Sequence, residues 1–120
     1  KDREFELAPF GMTGIETSLG LMLTHLVGEG VISLSRLVEL MAVNPRTILR
    51  DERVAIEPGS IADLTVIDPD AEWTVTNDDF CSKAQNTPFV GWNLRGRATD
   101  VFVGGYATME DGVVCSTVKK

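Results

Sequence analysis

A mixed α and β chain is what this sequence predicts, helices first and a small antiparallel sheet after them. Three observations carry the prediction. Apolar residues recur at helical spacing within the first 50 residues, the character changes at Glu57-Pro58-Gly59-Ser60, and glycine-containing turn signals punctuate short β-rich runs thereafter. On pattern alone, helices followed by strands within 120 residues make a small α+β domain. Two amphipathic stripes with no strand between them also read as the outer layer of something larger.

The first organised unit is the loop Ala8-Pro9-Phe10-Gly11-Met12-Thr13-Gly14, which feeds a helix. Thr13 and Glu16 stand at capping-box spacing, so a helix is expected from about Gly14. Ile15, Leu19, Met22, Leu23 and Leu26 then form one apolar stripe expected to be buried, until Gly28 and Gly30 end the run. Ser33 is placed to cap a second helix with the stripe Leu34, Leu37, Val38 and Met41. Asn44-Pro45 predicts the start of a short third helix, Asn as cap and Pro at the first position, with Ile48 and Leu49 as its apolar contacts.

Beyond Arg50 the pattern is strand and turn. Ala62–Ile67 is β-rich and is expected to stop at Asp68-Pro69, and Trp73–Thr76 reads as a separate short strand. Asp100–Val103 and Tyr106–Met109 flank Gly104-Gly105, a two-residue hairpin signal, and Asp111-Gly112 offers a second hairpin before Val113-Val114.

Hydrophobic residues make up 43% and charged residues 24%, enough to form a core. The formal net charge of -7 argues against a nucleic-acid backbone or an anionic membrane as partner, since both reward clustered Lys and Arg. Cys81 and Cys115 lie far apart without metal-ligand spacing, which fits a reducing, cytoplasmic setting. The charged stretch at the start leads into no signal peptide or membrane span, and the absence of an initial Met fits a cut chain.

Chemistry-bearing patterns are sparse. The single histidine, His25, falls within the first helix and reads as a packing or surface residue. Asp78-Asp79 and Glu110-Asp111 stand beside turn signals and are expected to be solvated loop acids. No serine elbow, P-loop or dinucleotide fingerprint occurs. One place looks poised to hold a ligand: the loop from Pro9 to Gly14. Pro9 restricts its neighbour, Gly11 permits close approach to the main chain, and a helix N-terminus follows directly.

The run Phe5–Thr17, with its Ala8-Pro9-Phe10-Gly11 and Gly14-Ile15-Glu16-Thr17, resembles the segment after the last barrel strand of class I dihydroorotases. Val43-Asn44-Pro45-Arg46, then Ile56-Glu57-Pro58-Gly59-Ser60-Ile61-Ala62-Asp63-Leu64-Thr65-Val66-Ile67-Asp68, and then Ser82-Lys83-Ala84-Gln85-Asn86-Thr87-Pro88-Phe89-Val90-Gly91-Trp92 agree with that family in order and spacing. The stretch from Gly59 is shared by the amidohydrolase superfamily at large; the first and last segments are narrower and favour dihydroorotase over hydantoinase or allantoinase.

The resemblance implies an α/β fold made of the C-terminal end of a metal-dependent (β/α)8 barrel plus part of a small β-sandwich. Residues 1–50 would be the last outer helices and a substrate loop, and residues 51–120 the C-terminal part of the composite sandwich. It also implies reversible cyclisation of N-carbamoyl-L-aspartate to dihydroorotate, with zinc as cofactor in the complete protein. Phe10 and Gly11 would contact the substrate ring through their backbone. The family's zinc ligands, carboxylated lysine and catalytic aspartate all match positions before Lys1, so neither a catalytic nor a metal-ligating residue is assigned to this chain, which is expected to be inactive alone. Its expected partners are the small-molecule substrate, further copies of itself, and aspartate carbamoyltransferase. The alternatives are another cyclic amidase, an inactive dihydroorotase-like partner of that transferase, or a stand-alone binding domain.

Overall fold

The computed structural model describes residues 11–50, 55–84 and 86–115. Helix α1 (Ile15–Met22) passes without a break into a wider, π-type turn at Leu23–Val27, which the Gly28 N–H closes on the Leu23 carbonyl at 2.8 Å. Helix α2 (Leu34–Val38) begins at the expected cap, where the Ser33 hydroxyl accepts the Arg36 N–H at 3.2 Å. It continues through a second π-type turn, Glu39–Val43, into α3 (Asn44–Leu49).

Four strands follow among the described residues: β1 (Leu64–Thr74), β2 (Asn93–Val103), β3 (Tyr106–Glu110) and β4 (Val113–Val114). They form one sheet in the order β1-β2-β3-β4, with every neighbouring pair antiparallel. The two hairpins fall where the glycines placed them. Gly104 and Gly105 have φ of 59° and 84°, and Asp111 and Gly112 have φ of 50° and 78°, the left-handed pairs that two-residue turns between twisted strands require.

Several local expectations are corrected. Thr13 and Glu16 do not form a capping box: Gly14 occupies the cap position of α1 without a side-chain bond, and Glu16 instead accepts the Ser82 N–H. Asn44 does not restart a helix. It is itself helical (φ −63°, ψ −43°), its N–H reaches the Glu39 carbonyl, and the wide turn admits Pro45, which has no N–H to donate. Ile48 and Leu49, expected as the apolar contacts of this helix, stand 79% and 76% exposed. Asp68-Pro69 does not end β1; it lies in a register shift between Asp68 and Glu72, where a bulge on an edge strand tolerates the missing donor. Trp73 and Thr74 therefore belong to β1, and β2 begins at Asn93, well before Asp100.

The buried side of the first helix matches the predicted stripe only in part: Leu23 is buried as expected and Leu19, Met22 and Leu26 are half-buried. Ile15 is 89% exposed, while Thr17, Gly20 and Leu23 face the protein interior. Small residues line that side because the helix lies close against β2. A Cβ on Gly20 would meet Trp73 at 3.0 Å and Leu94 at 3.2 Å, and a Cβ on Gly96 would meet the Leu23 side chain at 2.3 Å. Gly96 also has φ of +91°, a conformation L residues rarely adopt. Thr24 stitches the seam: its hydroxyl accepts the Arg95 N–H at 2.8 Å and lies 2.7 Å from the Gly20 carbonyl. Leu23, Leu37, Val75 and Leu94 form the buried apolar core of the described residues.

Ala62 and Asp63, before β1, tie down the first hairpin. The Asp63 carboxylate accepts the Gly104 N–H at 2.7 Å and the Ala62 carbonyl accepts the Gly105 N–H at 2.9 Å. The Ala-Asp pair of the Gly59–Asp68 stretch is thus structural, because it satisfies both donors of the turn.

Two outcomes follow for stability. Gly96→Ala should destabilise the fold by about 2–4 kcal/mol, through backbone strain and the clash with Leu23, read as a lower midpoint in urea unfolding. Asp63→Ala should cost about 1 kcal/mol by removing the acceptor of the Gly104 N–H, with Asp63→Asn, which keeps an acceptor oxygen, costing less in the same assay.

Candidate functional site

The loop that precedes α1 is held by the long connection between β1 and β2. The Asn86 side-chain amide donates to the Gly11 carbonyl at 3.1 Å, and the Ser82 N–H donates to Glu16 Oε1 at 3.2 Å. These two bonds join segments 75 and 66 residues apart in sequence. Gly11 has φ of +71°, is exposed, and among the described residues other than its chain neighbours has no atom within 4 Å of the point where a Cβ would sit. Beside it the Thr13 hydroxyl is buried with no hydrogen-bond partner among the described residues. Phe10, the other residue expected at the substrate, lies outside the described residues.

The connection is anchored at its two ends. At its exit the Gly91 N–H donates to the Val75 carbonyl at 2.8 Å and the Val75 N–H donates to the Trp92 carbonyl at 2.9 Å, with Val75 itself buried. Phe89 and Trp92 meet edge to face at 5.3 Å. At its entry, Asp79 Oδ2 accepts both the N–H and the hydroxyl of Thr76 at 2.8 Å, and Asp79 Oδ1 accepts from Arg97 Nη2 at 2.9 Å. The Arg97 guanidinium also lies over the Trp73 ring, 4.8 Å from its centre, and the Trp73 indole N–H donates to the Gly96 carbonyl at 3.1 Å.

Asp79 is therefore not the solvated loop acid that its neighbours suggest. Burial by itself raises its pKa, but the hydrogen bonds from Thr76 and the Arg97 charge outweigh burial and hold the carboxyl below its ordinary value. Thr76 and Asp79 form a capping box at a single 3₁₀ turn, Asn77–Asp79. The same spacing that misleads at Thr13 and Glu16 is used here. Asp78 is exposed, as are Glu110 and Asp111.

His25 is exposed, pairs through Nδ1 with Glu29 at 3.1 Å and lies edge-on to Trp92. Cys81 and Cys115 are both free. Among the described residues, no three His, Cys, Asp or Glu side chains converge as a metal site would require. A shallow groove of about 440 Å³ opens instead at the seam of α1 with the sheet, beside Thr24, Trp73 and Arg95, and shares no residue with the Gly11–Asn86 contact. No helix among the described residues is long and apolar enough to cross a membrane.

What the chain resembles agrees with this architecture. No family model matches it. Over 95 residues it is 52% identical to a dihydroorotase of Chlorobaculum tepidum, an overlap of 79% of this chain and 22% of that protein. Over 105 residues it is 52% identical to a dihydroorotase of Geobacter metallireducens, covering 88% of this chain and 24% of the relative. The L-hydantoinase (dihydropyrimidinase) of Arthrobacter aurescens superposes with a TM-score of 0.78 at 36% identity, over 88% of this chain and 24% of that one. The chain spans about a quarter of the length of the curated relatives it matches.

Helices laid against an antiparallel sheet superpose on part of a hydantoinase, so in fold the chain is similar to a segment of the amidohydrolases. In sequence the chain is a homologue of the C-terminal portion of the dihydroorotases.

The Asp79 clamp sets a pH dependence. Because the folded pKa is depressed, its stabilisation is full above the ordinary carboxyl value of 3.8 and is lost as pH falls through the lower folded value. Asp79→Asn should lower the unfolding midpoint at pH 7, and the gap to the unsubstituted protein should close as the pH is taken well below 3.8, as followed by circular dichroism.

Proposed function

We propose that this chain is the C-terminal part of a dihydroorotase, an enzyme that interconverts N-carbamoyl-L-aspartate and dihydroorotate, and that its loop from Pro9 to Gly14 forms one wall of the substrate pocket. The observation that carries the proposal is the Asn86–Gly11 bond. It joins Gly11 to Asn86, one residue from each of the two motifs whose resemblance favours dihydroorotase over its sibling amidases.

In this proposal residues 1–50 are outer helices of a (β/α)8 barrel and residues 51–120 complete a β-sandwich. The exposed apolar side chains support it. Ile15, Ile48 and Leu49 on the helices and Val113 and Val114 at the sheet edge need covering that these residues do not supply. Self-association and contact with aspartate carbamoyltransferase belong to the same proposal, as does a cytoplasmic setting.

Opening dihydroorotate adds one water across a ring C–N bond and leaves a second carboxylate. The zinc that the family implies is not accommodated by the described donor set, because His25 stands with Glu29 on an exposed helical face and no cluster of ligands forms around it. What the chain contributes is placement. Backbone groups at Phe10 and Gly11 would hold the ring, and the connection that carries Asn86 would keep Gly11 in position.

A hydantoinase is the second reading, favoured by the structural overlap with the Arthrobacter enzyme. Purified intact protein carrying this chain should turn over dihydroorotate in preference to hydantoin. Gly11→Val should lower kcat/KM for dihydroorotate by about tenfold or more, since a β-branched residue resists the positive φ and reshapes the loop. Preference for hydantoin, or unchanged turnover by the variant, would count against the proposal.

A further inference from the structure

We infer that Asn86 is a positioning residue for the substrate loop: its side-chain amide fixes the peptide geometry at Gly11 from across the molecule. The inference rests on the proposed role of that loop. Glycine populates positive and negative φ about equally, so Gly11 does not choose +71° by itself. Among the described residues packing does not choose it either, since Gly11 is exposed and, its chain neighbours aside, none of them lies within 4 Å of its missing Cβ. What the structure supplies is a directed hydrogen bond, from Asn86 Nδ2 to the Gly11 carbonyl.

The donor comes from a well-anchored segment. Its connection is closed at Val75 by two backbone bonds and clamped at Asp79, and the Ser82–Glu16 bond ties it a second time to the start of α1. Thr87, the next residue, accepts the Phe89 N–H at 3.3 Å and shapes the turn that follows. An amide suits this role on chemical grounds. It donates to a carbonyl without bringing charge, whereas a carboxylate of the same shape has no proton to give and repels both the carbonyl and an anionic substrate.

The test uses the intact protein and its kinetics with dihydroorotate. Asn86→Asp should raise KM about tenfold with kcat within about twofold, and Asn86→Ala should raise KM about fivefold, the loss expected for one hydrogen bond that orders a binding loop. Thermal midpoints should stay close to the unsubstituted value, because Asn86 is not buried. If Asn86→Asp fails to accumulate as folded protein, the uncharged Asn86→Ala is judged by the same split. Unchanged KM in the Asn86 variants, or a fall in kcat alone, overturns the inference. If Gly11→Val still impairs turnover in that case, the substrate-loop proposal survives without it. If Gly11→Val is also silent, the loop proposal is what has failed.

Discussion

The close approach of α1 to β2 is the constraint on which the remaining structure depends. Gly20 on the helix and Gly96 on the strand leave room for Leu23, Trp73 and Leu94 to fill the seam, and Thr24 bonds across it to Arg95. A methyl group at either glycine meets heavy atoms at 3.0 Å or less, so the distance between helix and sheet has little latitude. Since α1 follows directly on the Gly11 loop, the seam also sets where that loop stands relative to the sheet and its connections.

From the same seam the position of the β1–β2 connection follows. Trp73 gives its N–H to Gly96 and its ring face to Arg97, and Arg97 in turn holds Asp79 at the entry of the connection. The carboxylate has about four hydrogen-bonding opportunities and accepts from Thr76 through both its N–H and its hydroxyl, and from Arg97. From this base the segment reaches back to α1 through Ser82 and to Gly11, in the loop before it, through Asn86. A chain of specific polar contacts thus carries position from the sheet to the loop proposed to meet substrate.

The helices present the opposite situation. Leu37 is buried, but Leu34, Val38 and Met41, the other members of its stripe, are exposed, and so are Ile48 and Leu49. A stripe of this kind is stable only against another surface. On α1 the residues that pack against the sheet are the small ones, Thr17 and Gly20, while Ile15 faces away. That division fits helices with two packing partners, of which the sheet is one.

The sequence by itself determined what depends on neighbouring residues. The Ser33 cap, the two left-handed hairpin turns, the mixed α and β character and the kinship to dihydroorotases through Gly11, Asn86 and their flanking motifs all rest on short-range chemistry or residue identity. The sequence was ambiguous wherever one local signal had two possible uses. Thr-x-x-acid occurs at Thr13–Glu16 and at Thr76–Asp79, and only the tertiary contacts send Glu16 to Ser82 and leave Asp79 to close the box. Asp68-Pro69 ends a strand locally, yet pairing with β2 on either side carries β1 through it as a bulge. The buried face of the first helix was readable only in part for a similar reason: hydrophobicity picks out Leu23, which is buried, but also Ile15, which is not, and it misses Thr17 and Gly20, whose small size allows the approach. Local propensity sets which conformations are cheap. Long-range packing and hydrogen bonds decide which of them is kept.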